Sequence, residues 1–550
     1  MSTTRGRVRK LDRPLDSTAA SRPEPPVAPL SPAAAPGAAP KKPATPLNST
    51  ALYGLVFFAG IGSMTTEICA SRLLAPFYGS STIVWANIIG LILLSLSLGY
   101  WIGGKLADRH PSPRLLGWLV VAGAVLTAIV PFVARPFLNW SIGGLEHMAA
   151  GTVIGSFFAS LVLFVPPVTL LGTVSPFAIR LGIKDVNKAG AVAGRVFALS
   201  TGGSLLGTFL PSLVTIPLIG TQRTMLGAAA LIALSAAFLL GARWLVIGVA
   251  LGGLLALPPG VVKAETGLIY ESESRYQFIQ VLEQGTQRRL QLNEGYAVHS
   301  LYRPDTVLTG GEWDMFLAVP PLLAKPVERV AILGNAAGTT ARAFGVFYPQ
   351  AAIDGVEIDP AVSEVGRRYF GMTENPRLTI HDQDARPFLS ASTESWDLIF
   401  IDAYRQPYVP FYLATREFFR AVREHLRPGG MIALNISTVP GDDSLAQDVA
   451  GTLAAEFPQV VTWQALRFNQ LVIGLVDPLP LEEMRARLAT AVGPVGTLTS
   501  LMAADLKTAA PIARPWTDDR CPVEWITNAM IVNYAVRGGA TPEQLLPTAP

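Results

Sequence analysis

The sequence predicts two fold classes in one chain: an α-helical membrane bundle of about seven spans, then an α/β domain with a Rossmann-like, doubly wound sheet. Three observations predict this. Half of the 550 residues are hydrophobic and only 15% are charged, whereas a soluble chain carries about 25% charged residues. The deficit is concentrated, because long apolar runs fill residues 51–258 while charges crowd both flanks. Beyond residue 326, short apolar strands alternate with helical stretches, the pattern of a mainly parallel sheet. The formal charge of +3 gives no footprint for nucleic acid. Two cysteines, Cys69 and Cys521, supply neither a disulfide framework nor metal-ligand spacing, so no metal site is expected.

Residues 1–48 form a Pro/Ala/Ser-rich tail with Arg5, Arg7, Arg9, Lys10 and Arg13 near its start. Such a composition cannot bury enough surface to offset chain entropy, so disorder is expected. No apolar core follows the basic cluster closely, which argues against a cleavable signal peptide. The membrane domain is read over 49–260. A span needs about 20 apolar residues, and candidates centre on 51–70, 82–103, 115–135, 152–174, 195–218, 224–240 and 244–258. The last two, split by Gly241-Ala242-Arg243, read as a tight hairpin. Lys105, Arg109 and Arg114 in one loop, and Arg180, Lys184, Lys188 and Arg195 in another, place those loops on the cytoplasmic side. An odd number of spans then puts the C-terminal domain outside the cytoplasm, and an even number puts it inside. Glu67 and Arg72 sit towards the end of the first span, where an ionisable side chain is a functional candidate or a helix-packing partner.

The soluble half divides into a small β-rich part at 265–325 and a Rossmann-like domain at 326–540. Alternating apolar and polar residues in ESESRYQFIQVLEQGTQRRLQLNEGYAVHS predict short antiparallel strands, followed by a helical stretch near 311–324. Strands are predicted at 329–333, 352–357, 378–381, 398–402, 431–436 and 460–465, with helices near 339–347, 360–370, 415–426 and 444–456.

A nucleotide signature lies on this frame. The strand RVAIL runs into Gly334-Asn335-Ala336-Ala337-Gly338 and then a helix, so small residues let a ligand approach backbone and helix N-terminus. Glu357 ends the next strand about twenty residues on, the spacing of a carboxylate that accepts both ribose hydroxyl protons. Asp359 and Pro360 suit an N-cap and first helical position. Asp384-Ala385-Arg386 follows the third strand, where an acceptor and backbone groups read an adenine edge. The glycine pattern is not GxGxxG, which favours an S-adenosyl ligand over NAD.

In order and spacing, YQFIQV (276–281), ILGNAAG (332–338), GVEIDP (355–360), DAR (384–386), IDAY (401–404), RPGG (427–430) and TDDRCPVE (517–524) resemble the spermidine synthase (polyamine aminopropyltransferase) family. The chain from about 50 to 540 is similar to bacterial proteins that fuse a multi-span membrane region to a spermidine-synthase-like domain. The resemblance implies aminopropyl transfer from decarboxylated S-adenosylmethionine, a co-substrate rather than a tightly bound cofactor, to an amine such as putrescine. It implies Asp402 as the base that frees the attacking amine, and Gln277, Gly334, Gly338, Glu357, Asp384 and Ala385 around the nucleoside. Tyr404, Asp314 and His299 are candidates for the amine end.

The sequence departs from the family at acidic positions. Ala336 or Ala337 replaces the loop Asp that holds the aminopropyl end, Trp313-Asp314-Met315 replaces Tyr-His-Glu, and a second Asp is missing within Ala403-Tyr404-Arg405. Asp314 and Glu294 are the residues able to restore charge. The expected partners are a small amine and the lipid bilayer of a multi-pass cell-membrane protein, with no nucleic acid, and a homodimer is compatible. Two alternatives remain: an S-adenosylmethionine-dependent methyltransferase on the same fold, and a non-catalytic polyamine- or nucleoside-binding transporter or sensor.

Overall fold

The computed structural model describes residues 49–79, 81–145, 151–258, 260–295, 297–404 and 408–537. The N-terminal tail and Arg405 lie outside the described residues. Apolar helices fill the first half: α1 (Ser49–Tyr78), α2 (Thr82–Arg109), α3 (Pro113–Leu145), α4 (Gly151–Leu163), α5 (Val165–Gly172), α6 (Val174–Gly182), α7 (Ala189–Leu210), α8 (Ile216–Leu240) and α9 (Leu245–Gly253). Among the described residues, four runs are long and apolar enough to cross a bilayer, or five if the bent pair 154–163 and 165–182 is one span. The expectation of about seven is not met on this measure, for two physical reasons. The spans expected at 195–218 and 224–240 belong to one 55-residue helical run, and the last apolar helix, Ala242–Ala256, is short.

That long run nevertheless doubles back. Gly203 abuts the Phe57 carbonyl and Gly207 that of Ile61, so α7 runs parallel to α1. Cys69 lies by Thr221 and Gly62 by Ile232, so α8 runs antiparallel to α1. The reversal falls at Gly220, whose φ of 80° and ψ of 165° no helix contains. A Cβ at Gly203 would sit 2.1 Å from the Phe57 oxygen, so the α1–α7 seam requires glycine there.

One end of the bundle carries the connections α2–α3, α6–α7 and α8–α9. Arg180 reaches Asp108 there at 3.2 Å, and Gly117 meets Leu240. The other end meets the soluble half, where Glu524 accepts from the Thr82 amide at 3.3 Å.

The soluble half opens with an antiparallel meander: β1 (Leu268–Glu273), β2 (Phe278–Gln284), β3 (Gln287–Leu292) and β4 (Val298–Tyr302). The predicted helix near 311–324 shrinks to α10 (Glu312–Met315) and two single turns, because Pro320 and Pro321 interrupt it. Then follow β5 (Arg329–Leu333), α11 (Thr339–Phe347), β6 (Ala352–Glu357), α12 (Pro360–Tyr369), β7 (Leu378–Asp382), α13 (Ala385–Ala391), β8 (Trp396–Ile401), α14 (Arg416–Glu424), β9 (Leu426–Ser437), α15 (Ser444–Leu453), β10 (Gln459–Leu466), β11 (Asn469–Leu475), α16 (Leu481–Leu488), α17 (Gly493–Asp505), β12 (Lys507–Thr508) and α18 (Val523–Val536).

The strands align as β12-β10-β11-β9-β8-β5-β6-β7. The five from β9 to β7 are parallel, while β11, β10 and β12 are antiparallel additions. Helices cover both faces, so the residues of β8 divide between two apolar layers, with a register shift between Trp396 and Leu398. Trp396, Ile399 and Ile401 pack with α13, α14, α15 and α18, whereas Leu398 and Phe400 pack with α11, α16 and α17.

Candidate functional site

The order of the parallel strands creates the site. The chain starts in the middle at β5, moves outward through β6 and β7, then returns to lay β8 on the other side of β5. The two connections leave β5 in opposite directions, and such switch points open a crevice at the carboxyl ends of the strands. Gly334 ends β5 there and Asp402 follows β8. Gly334 has a φ of 93°, and a Cβ on it would lie 2.5 Å from the Asp402 carbonyl oxygen. Only glycine lets the two strand tips approach this closely.

All five backbone amides of the loop after β5, Gly334 to Gly338, are used. Gly334 and Asn335 both donate to the Val356 carbonyl at 2.9 Å, and Gly338 donates to that of Asn335 at 2.8 Å. Ala336 donates to Glu357 Oε2 at 3.0 Å, and Ala337 to Ser300 Oγ at 2.9 Å. A phosphate has no cradle in this loop. The loop instead forms a shaped wall, held from behind by β4 through Ser300 and through Thr339, whose hydroxyl accepts from Leu301 N at 3.0 Å. Ala337 is fully buried, so an apolar methyl occupies that turn. Asn335 is 4% exposed, and neither of its amide atoms has a partner among the described residues.

Glu357 sits at the tip of β6, 7% exposed. Besides Ala336 it accepts from Asp359 N at 3.0 Å. Burial first, and the neighbouring Asp359 charge second among the raising causes, push its carboxyl up to about 7. Asp359 caps α12, accepting from Ala361 N at 3.1 Å. Its other oxygen takes Ser274 Oγ at 2.5 Å and Gln277 Nε2 at 3.3 Å. Gln277 therefore spends its amide donor on Asp359. Asp384 caps α13 through Arg386 N at 2.9 Å and accepts from the Tyr412 hydroxyl at 2.8 Å, with Ala385 beside it in the core.

Asp402 is oriented by an amide relay. Asn435 Nδ2 on β9 donates to Asp402 Oδ1 at 2.9 Å, and Asn469 Nδ2 on β11 donates to Asn435 Oδ1 at 3.0 Å. Burial moves the Asp402 carboxyl up to about 6, and the Asn435 bond opposes this. Glu312, at the start of α10, is pushed up to about 8, by burial first and by the Asp402 charge second. The two carboxyl groups lie close enough for their charges to interact. The Tyr404 hydroxyl donates to the Asn435 carbonyl at 2.7 Å and accepts from Ser437 N at 2.9 Å, so it is locked onto β9 and only its ring remains available beside Asp402.

Asp314 accepts from Thr309 N, Thr309 Oγ1 and Gly310 N at 2.8–3.1 Å, which closes the turn before α10. Glu294 lies under Gly79 at the end of α1. Burial holds the His299 imidazole neutral, down to about 4. His381 bonds Asp354 at 2.9 Å, within a buried network that includes Trp396 and Arg329. Asp518 pairs with Arg386 and takes the Thr415 hydroxyl at 2.7 Å, so the Trp516–Asp519 stretch is a turn.

Sequence reasoning missed Glu312 and Asn435. Asn435 had a signal, being a lone amide within the apolar strand MIALNIS. Glu312 had none, because its placement depends on the fold bringing α10 near Asp402.

The fold is a doubly wound α/β domain with carboxylates at the tips of the strands flanking β5. Residues 312–466 match the spermine/spermidine synthase domain, so the C-terminal part carries a spermidine synthase domain. A probable polyamine aminopropyl transferase of Bifidobacterium longum is 37% identical over 194 residues, 35% of this chain and 43% of that protein. The chain thus spans less than half the length of that relative. Polyamine aminopropyltransferase 2 of Aquifex aeolicus is 24% identical over 476 residues, 80% of this chain and 91% of that protein. Proteins so named are transferases. A probable spermidine synthase from Corynebacterium glutamicum superposes with a TM-score of 0.34 at 18% identity, covering 50% of this chain and 96% of that one.

Proposed function

We propose that the protein is a membrane-anchored polyamine aminopropyltransferase using decarboxylated S-adenosylmethionine and a small amine such as putrescine. The observation that carries this reading is the pair of buried carboxylates, Glu357 and Asp402, on the strands either side of β5. Ribose hydroxyls donate to Glu357, and the adenine lies towards Asp384 and Ala385. The amine nitrogen attacks the carbon beside the sulfonium; the N–C bond forms, the C–S bond breaks, and sulfur keeps the pair as a neutral thioether nucleoside. The proton lost by the amine goes to Asp402. An alkylammonium near 10.4 gives up a proton reluctantly. Raising the carboxyl from 3.8 to about 6 makes that transfer easier by ~3 kcal/mol. Glu312 supplies a second acidic group for a cationic amine, where Ala336 or Ala337 replaces the family's loop acid.

The test is turnover by the full chain in detergent, with decarboxylated S-adenosylmethionine and a panel of diamines. Release of methylthioadenosine with one of them is the expected result. Methylated amine formed from S-adenosylmethionine instead would favour the methyltransferase reading.

A second reading, of a polyamine- or nucleoside-binding sensor or transporter, is favoured by charge. Lys105, Arg109, Arg114, Arg180, Lys184, Lys188 and Arg243 lie in, or on the helix turns beside, the connections at the end of the bundle away from the α/β half. The positive-inside bias makes that end cytoplasmic and sets the domain on the opposite face, away from a cytoplasmic nucleoside supply. Val186 and Val492 are 83% and 84% exposed and mark the two ends. Labelling V186C and V492C in intact cells with an impermeant maleimide separates the readings: an enzyme with cytoplasmic substrates requires V492C to be protected.

A further inference from the structure

The turn between β1 and β2 is gripped by membrane helices on one side and by the nucleoside site on the other. The Arg72 guanidinium on α1 donates to the carbonyls of two consecutive turn residues, Ser274 at 3.4 Å and Arg275. A planar fork suits two adjacent acceptors where an ammonium does not. Glu273, one residue earlier, accepts from Thr221 N at 3.3 Å and Thr221 Oγ1 at 2.6 Å, directly after the Gly220 reversal. Two helices therefore pin the end of β1.

Within the turn, Ser274 N donates to the Gln277 carbonyl at 2.9 Å, and the Ser274 hydroxyl accepts from Tyr276 N and Gln277 N, both at 3.0 Å. That hydroxyl then donates to Asp359 Oδ2 at 2.5 Å, with Gln277 Nε2 alongside at 3.3 Å. Asp359 in turn holds Glu357 through its backbone amide at 3.0 Å. Every link is a hydrogen bond or a peptide neighbour, and Ser274 is only 8% exposed.

We propose that Arg72 is a positioning residue for the nucleoside site: it fixes the Ser274–Gln277 turn, which sets Asp359 and through it Glu357, so the helix bundle tunes nucleoside affinity. This rests on Glu357 being the ribose ligand. It makes the membrane region a working part of the site rather than a tether, since any movement of α1 against α8 reaches Asp359 through one turn.

The experiment uses the full chain in detergent with R72Q, R72K and, as a variant within the soluble half, S274A. Affinity for methylthioadenosine is measured by calorimetry, and amide hydrogen exchange is followed without ligand at 274–278, 359–362 and 398–402. R72Q is expected to weaken binding about tenfold, towards the lower end of the range for coupled sites. It should speed exchange at both 274–278 and 359–362 and leave 398–402 unchanged. R72K should recover only part of this, and S274A should reproduce the loss at 359–362 with α1 intact. Wild-type affinity in R72Q, or faster exchange at the turn without change at 359–362, overturns the proposal. Failure of the wild-type protein to bind any adenosyl nucleoside sinks the ribose assignment instead, and the exchange at 359–362 then decides the coupling alone.

Discussion

Two carboxyl groups displaced in the same direction define the chemistry at the residue scale. Asp402 near 6 and Glu312 near 8 lie close enough for the charge on Asp402 to disfavour that on Glu312. An incoming cation draws both to ionise, which couples amine binding to proton release. D402N keeps the Asn435 side of the site yet cannot take a proton. Its turnover is expected to fall about 10²–10⁴-fold, the usual worth of a positioned base, with nucleoside affinity within a few-fold; turnover near wild type would remove Asp402 as the base. The same shifts bear on stability. Glu312 and Glu357 hold protons in the folded apo protein up to about 8 and 7, whereas the unfolded chain releases them near 4.5. The folded state therefore binds more protons across this window, and stability falls as pH rises through it. Thermal midpoints in detergent should drop between about pH 5 and about pH 9, and E312Q should flatten part of that slope. A midpoint that climbs over this window contradicts the burial of these groups.

At the scale of elements, strands buried on both faces were legible because apolar runs of five or six residues between turn residues have few other homes. Arg329–Leu333 and Ala352–Glu357 occur as predicted, with the nucleotide loop and the Asp359 cap between and after them. The antiparallel β11 was not legible. Its turn at Arg467-Phe468 lacks the Asn-Gly or Asp-Gly signal of a tight hairpin, and NQLVIGL reads equally as a buried helix segment. Helices α16 to α18 were lost for a similar reason, since their apolar faces are set by the sheet they cover. The occupation of the loop amides was not legible, because the sequence does not reveal that Ser300 and Val356 reach them. Gly334 offers a direct test of this element. G334A forces a side chain to a φ of 93° and against the Asp402 carbonyl. It should cost about 1–3 kcal/mol of domain stability and lower kcat more than nucleoside affinity. Unaltered kcat would mean that the β5–β8 approach does not position the base.

On the scale of the molecule, the apolar helices and the α/β half meet at one small turn. The apolar helical first half was legible from composition alone, but the number of helices long enough to span was not, because helix length and chain direction separate at Gly220. The soluble half depends on the bundle for the β1–β2 grip, and the bundle ends where Glu524 and Glu273 cap helices α2 and α8. The account's central claim is that one crevice at the switch point receives an adenosyl nucleoside through Glu357. Calorimetric titration of decarboxylated S-adenosylmethionine into the detergent-purified full chain and its E357A variant tests it most directly. The account predicts saturable binding to the wild type and a loss of about 1.5–3 kcal/mol in E357A, the scale of a hydrogen bond to a charged group. Equal affinity in the two proteins would contradict it.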